Sequence, residues 1–148
     1  MADAACVRAD FGTFLPIQIR WADMDAYGHV NNMVFYSYID TAVTAFLVRA
    51  AGHDKDRAPA IGLVVESGCR YFKPLAFPAA VDCGVRVAKL GRSSVRYEVG
   101  MFETGDDAPA ALGFFVHVFV DRASMRPTDL PPNIRAALES LPQPGGFQ

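Results

Sequence analysis

Residues 20–40 read RWADMDAYGHVNNMVFYSYID, and the stretch changes character at its middle. The first half is polar and contains Gly28, a residue that lets a chain reverse at low steric cost. The second half starts a helix. Phe35, Tyr38, Ile39, Ala42, Val43, Phe46 and Leu47 recur at spacings of three and four, which predicts a helix from Asn31 to Ala51. Asn31 is a favourable N-cap, because its side-chain oxygen can accept one of the orphan N–H groups of the first turn. Gly52 is a favourable stop. Nearly every face of this helix carries an apolar group, so it is expected to be wrapped by the rest of the chain.

On either side of the helix the period falls to two. Upstream, Phe14 to Trp21 alternates Ile17, Ile19 and Trp21 against Gln18 and Arg20, with Pro16 near its start; this predicts a strand. Downstream, Ile61–Phe72, Val81–Leu90, Ser93–Glu103 and Ala111–Asp121 are strand-like. Gly91-Arg92 suits a hairpin turn, and 104–109 (TGDDAP) a longer one. The last strand is apolar on both faces, Leu112, Phe114, Val116 and Val118 on one and Phe115, His117 and Phe119 on the other. It is therefore expected to be central, or to meet another subunit. A short helix to about Leu141 follows a proline-rich link. Residues 1–13 show no period and are expected to form a loose arm. The order is one strand, one long helix, then four strands, an α+β class with a five-stranded sheet.

The chain has 148 residues, 51% of them hydrophobic, which suits one domain with a full core. With 20% charged residues and a net charge of -2, it lacks the basic face expected of a nucleic-acid binder and gives no support for an anionic membrane surface as partner. Cys6, Cys69 and Cys83 have neither disulfide-framework nor zinc-site spacing, so no metal is expected, and free thiols suit a reducing cytoplasm. The start of the chain lacks a signal-peptide pattern, and no stretch reads as a membrane span. A cytoplasmic location is expected.

The junction at residues 23–32 carries the chemistry. The first N–H groups of a helix point outward without internal partners, and the helix dipole adds about half a positive charge there. Such an end can hold a carbonyl oxygen as it becomes an oxyanion. Asp25, seven residues before Asn32 and folded back by a glycine turn, could sit on the other side of that carbonyl. Ester hydrolysis needs this pair: a base or nucleophile, and an oxyanion donor. Taken singly, Asp25 reads as a turn residue, Asn31 as an N-cap, His29 as a loop histidine and Tyr36 and Tyr38 as packing residues. The arrangement carries the argument.

Asp23-Met-Asp25-Ala-Tyr27-Gly28-His29-Val30-Asn31-Asn32, followed by Phe35, Tyr38 and Asp40, resembles the signature of the 4-hydroxybenzoyl-CoA thioesterase family. That family reads D-x-D-x-x-G-H-V-N-N-x-x-Y-x-x-Y-x-E. The similarity extends through VVESGCRYFKPL (64–75), LGRSSVR (90–96) and VFVDRASMR (118–126), and covers about Pro16 to Leu138. Phe35 and Asp40 depart from the family's usual tyrosine and glutamate.

The resemblance implies a hotdog fold, an antiparallel sheet wrapped around one long helix, with subunits joined as a homodimer or a dimer of dimers. It also implies hydrolysis of an acyl-CoA thioester to free acid and CoA, without metal or redox cofactor. The family's catalytic carboxylate falls on Asp25 and its oxyanion amide on the backbone N–H of Asn32. His29 is expected to orient Asp25, water or the leaving thiolate. Tyr27, Asn31 and Phe35 are candidates for substrate binding.

Lys73, Arg92 and Ser93 are candidates for the nucleotide of CoA, whose phosphates need cations. His117, in an apolar strand, reads as a hydrogen-bonded core or interface histidine. No GxSxG is present, which argues against a serine hydrolase. Two other readings keep the same fold: a non-catalytic acyl-CoA-binding module, and a hydratase or dehydratase acting on enoyl or hydroxyacyl thioesters.

Overall fold

The computed structural model describes residues 5–144. Its main elements are β1 (Gly12–Gln18), α1 (Asn32–Ala51), β2 (Ala60–Tyr71), β3 (Ala80–Leu90), β4 (Ser94–Glu103), β5 (Ala111–Asp121) and α2 (Pro132–Glu139). The five strands form one sheet in the order β1-β3-β4-β5-β2, every neighbouring pair antiparallel. This is the expected α+β hotdog architecture. β5 lies between β4 and β2, which accounts for its apolar character.

α1 lies against the inner face of the sheet, and every strand touches it. Its buried side is the stripe read from sequence, Phe35, Tyr38, Ile39, Ala42, Val43, Phe46 and Leu47. These side chains pack with Tyr97, Val99, Met101, Phe115 and Phe119 of the sheet and with Ile134 and Leu138 of α2. Each fully buried large apolar side chain contributes about 1.5–3 kcal/mol, and this cluster holds the two layers together. The wrapping is one-sided within a single chain: Met33, Tyr36 and Val48 stay exposed on the other side of α1. Asn31 caps the helix by accepting the Met33 N–H at 3.1 Å. Gly52 ends it in the left-handed region (φ 65°), its N–H donating to the Leu47 carbonyl.

Three expectations are corrected. First, the opening strand stops at Gln18 rather than Trp21. The next N–H, of Ile19, goes to the Ala79 carbonyl (3.2 Å), and Trp21–Asp23 form a 3-10 turn that leaves Trp21 74% exposed. Second, the N-terminal arm is not loose over its described part. Cys6 and Phe11 are buried, the latter against Phe102, and the Arg8 guanidinium bonds Asp82 at 2.9 Å. Residues 1–4 of that arm lie outside the described residues. Third, His117 is a core histidine whose Nδ1 has no hydrogen-bond partner among the described residues, as is also true of the Tyr97 hydroxyl. Burial, with a smaller contribution from His53, pushes the His117 imidazole down to about 4, so it is neutral in the core near pH 7.

Candidate active site

The turn between β1 and α1 is built by its own backbone. Met24 and Val30 bridge antiparallel, the Asp25 N–H donates to the His29 carbonyl (2.7 Å), and the Gly28 N–H donates to the Asp25 carbonyl (3.1 Å). Gly28 supplies the left-handed conformation (φ 78°) that the reversal requires. The Asp25 side chain completes the turn. Its Oδ1 accepts the N–H groups of Tyr27 (2.8 Å) and His29 (3.3 Å), while Oδ2 has no donor among the described residues. One carboxylate oxygen therefore fixes the loop and the other is available.

Asp23 holds this turn to the body of the protein and is only 2% exposed. Its carboxylate accepts the Arg20 N–H (2.8 Å), the Arg20 guanidinium (2.8 and 3.0 Å) and the Tyr38 hydroxyl (2.9 Å). Burial alone would raise its pKa. The Arg20 N–H, the guanidinium and the Tyr38 hydroxyl outweigh that and hold the carboxyl below its ordinary range. The Asp23 carbonyl also accepts the Asn31 N–H at 2.9 Å, which places the start of α1 against the loop.

The first turn of α1 spends its donors unevenly. The Asn31 N–H goes to Asp23, the Met33 N–H to the Asn31 side chain, and the Val34 N–H to the Asn31 carbonyl (2.9 Å). The Asn32 N–H has no partner among the described residues. Asn32 lines a cleft of about 270 Å³. The loop contributes Asp25 and His29 to this cleft, the helix Asn32 and Phe35, and the end of β2 Tyr71, Lys73 and Pro74. Asp25 is half-buried at its wall and His29 is exposed at its mouth.

Five of the residues singled out in sequence thus meet in one cleft: Asp25, His29, Asn32, Phe35 and Lys73. Lys73 differs from expectation in its chemistry. Its ammonium is engaged by Asp106 and by Glu103 (2.9 Å), which hold it charged and already neutralised. Tyr27 projects into solvent, 87% exposed, and meets Asp25 only through its backbone. Asn31 spends its side chain on the helix cap.

Arg92 and Ser93 line a separate groove with Pro127, Thr128 and Asp129, and the Arg92 guanidinium bonds Asp129 at 2.6 Å. Tyr71 was not singled out in sequence; it reads there only as the end of a strand. Its hydroxyl donates to the Asn32 carbonyl at 3.1 Å, and its ring stands edge-on to Phe35 with centroids 5.1 Å apart. Among the described residues, no group of three or more His, Cys, Asp or Glu side chains is placed to hold a metal ion. Among them, too, no helix is long and apolar enough to cross a membrane.

The family model described as the thioesterase-like superfamily matches residues 19–138. Among solved structures, the PA5185 protein from Pseudomonas aeruginosa strain PAO1 is 46% identical, with 95% of this chain and 97% of that chain covered and a TM-score of 0.90. A thioesterase from Thermus thermophilus, crystallised with coenzyme A and zinc, is 32% identical, with 88% and 99% covered and a TM-score of 0.73. A 1,4-dihydroxy-2-naphthoyl-CoA thioesterase from Synechocystis, at 14% identity, shares the fold, with 86% and 96% covered and a TM-score of 0.78. Among curated proteins no sequence match is found. With its motif, its sheet order and these matches in agreement, the chain belongs to the thioesterase-like superfamily and is a hotdog-fold thioesterase.

Proposed function

We propose that the chain hydrolyses an acyl-CoA thioester to the free acid and CoA at the cleft between the 23–31 loop and the start of α1. One observation carries the reading: a carboxylate with a free oxygen, Asp25, shares this cleft with Asn32, whose N–H in the first helical turn has no partner among the described residues. The thioester carbonyl would lie against the Asn32 N–H, which stabilises the oxygen as it gains charge. Asp25 Oδ2 would either take a proton from an attacking water, or attack the carbonyl carbon and expel CoA as the thiolate to give a mixed anhydride that water then opens to the free acid and the Asp25 carboxylate. His29 at the mouth would orient the water or the departing thiolate. A thiolate leaves readily, so a site without a strong acid suffices.

The coenzyme A in the Thermus thermophilus structure supports a CoA ester as substrate. Phe35, with Tyr71 beside it, would contact the acyl group. Arg92 and Ser93 would meet the nucleotide phosphates if their groove lies beside the cleft in the assembled protein. Lys73, neutralised by two carboxylates, would contribute its stem to the wall rather than a free charge. The assay that tests the reading follows thiol release from a panel of acyl-CoAs beside hydration of an enoyl-CoA. Thiol release alone is expected. Hydration without thiol release would favour the hydratase reading, and tight binding with neither would favour a binding module.

The assembly is proposed to be at least a homodimer. β2 is an edge strand that exposes Leu63, Val64 and Val65 in succession, and α1 leaves Met33, Tyr36 and Val48 uncovered. A stable interface of this kind buries on the order of 1,600 Å² in total or more. Light scattering is expected to give a mass of two or four chains; a monomer at working concentration would refute the assembly.

A further inference from the structure

We propose that Tyr71 is a positioning residue for the thioester carbonyl, its hydroxyl holding the Asn32–Met33 peptide and thereby, through the backbone torsions of Asn32, limiting the direction of the Asn32 N–H on the preceding peptide. The inference rests on the hydrolytic reading above and adds a residue to it.

The geometry is that of a clamp on one peptide unit. The peptide joining Asn32 to Met33 is held at both ends. Its N–H donates to Asn31 Oδ1 at 3.1 Å, and its carbonyl accepts the Tyr71 hydroxyl at 3.1 Å. The preceding peptide is held as well, because the Asn31 carbonyl accepts the Val34 N–H at 2.9 Å. Asn32 is therefore bracketed by two fixed planes. The other bonds are local to residues 31–34; the Tyr71 bond alone comes from another layer of the fold, 39 positions along the chain. It ties the helix start to the end of β2 at the wall of the same cleft.

Tyr71 is itself held in place. Its ring stands edge-on to Phe35, interplanar angle 84°, and it sits at the last paired position of β2, opposite Ala111. Burial, with the Cys69 thiol and the Tyr36 phenol nearby, pushes the Tyr71 hydroxyl well above its ordinary pKa, so it remains a donor at any working pH. A donor on the helix carbonyl also polarises the peptides of the first turn in the direction that favours negative charge at their N–H side.

A merely structural role and a positioning role differ in what they move. Tyr71 is 41% exposed, so Tyr71→Phe, which keeps the ring against Phe35, should fold. Thiol release from butyryl-, hexanoyl- and benzoyl-CoA is to be measured for the parent, Tyr71→Phe, Tyr71→Leu and Asp25→Asn. The expected result is a fall in kcat of about ten- to thirty-fold for Tyr71→Phe with KM within about two-fold, since a misdirected donor weakens the transition state more than the bound substrate. Tyr71→Leu should show the same fall in kcat and a raised KM, because the ring is lost as well.

A second readout is spectroscopic. The infrared band of an isotope-labelled thioester carbonyl, bound to the slow Asp25→Asn protein, should lie below its solution frequency. Adding Tyr71→Phe should return it toward the solution value. Parental kcat together with an unmoved band overturns the inference while Asp25→Asn remains slow and the hydrolytic reading stands. Parental turnover by Asp25→Asn, or no thiol release by the parent, overturns that reading and the inference with it.

Discussion

Asp25→Asn is expected to leave the fold and the affinity for CoA nearly unchanged while turnover falls by roughly 10²–10⁴-fold. The separation of effects follows from the two oxygens. Oδ1 serves the turn, and an asparagine carbonyl at the same place can still accept the Tyr27 and His29 N–H groups, so the loop keeps its shape. The position of Oδ2 would then hold an amide nitrogen, which neither takes a proton from water nor attacks a carbonyl carbon. The measurement is thiol release alongside a thermal melt. Hydrolysis at the parental rate by the substituted protein would refute the mechanism and leave the binding-module reading as the better one.

Asp23→Asn is expected to show the reverse balance: turnover within about ten-fold of the parent, and a loss of about 2–3 kcal/mol in stability. Asp23 is buried and accepts from Arg20 and Tyr38, and the substitution turns an amide against the guanidinium. For a domain of this length the melting temperature should drop by roughly 5–10 °C. The pH dependence has a definite sign. The carboxyl is held below its ordinary value in the folded protein, so its contribution is complete above the unfolded pKa of about 3.9 and is lost as the pH falls further through the folded value. The parent should therefore lose stability more steeply than Asp23→Asn below about pH 4. A melt unchanged by the substitution would show that Asp23 does not hold the loop.

The parts of this fold that sequence reveals are those whose causes are local. α1 was legible at both ends because its cap, its stop and its apolar stripe lie within the segment itself, from Asn31 to Gly52. The Asp25 turn was legible for the same reason: its donors, Tyr27 and His29, are two and four residues away. What was missed depends on distant partners. Arg8 pins the N-terminal segment through Asp82 and the carbonyl of Asp106, 74 and 98 positions away, and nothing near Arg8 announces either. Lys73 looked like a free cation because Glu103 and Asp106 come to it from another hairpin. The alternation that extended the first strand to Trp21 was real in hydropathy, but the backbone leaves the sheet at Ile19 to serve the Arg20–Asp23 turn. Tyr71 gave no signal at all, since one aromatic at a strand end is ordinary until its contact with α1 is seen.

The sheet order also has a consequence for the time course of folding. β3, β4 and β5 are successive neighbours joined by short links, 91–93 and 104–110, so their pairing closes small loops early. β1 must instead reach β3 across the whole of α1 and β2, and β2 must skip two strands to reach β5. Every group proposed to act on the thioester sits on these later pieces: the exit from β1, the start of α1 and the end of β2. The meander is thus a platform that can exist before the site does. Local opening that separates β1 or β2 from the meander would therefore take the proposed site apart while β3, β4 and β5 stay paired.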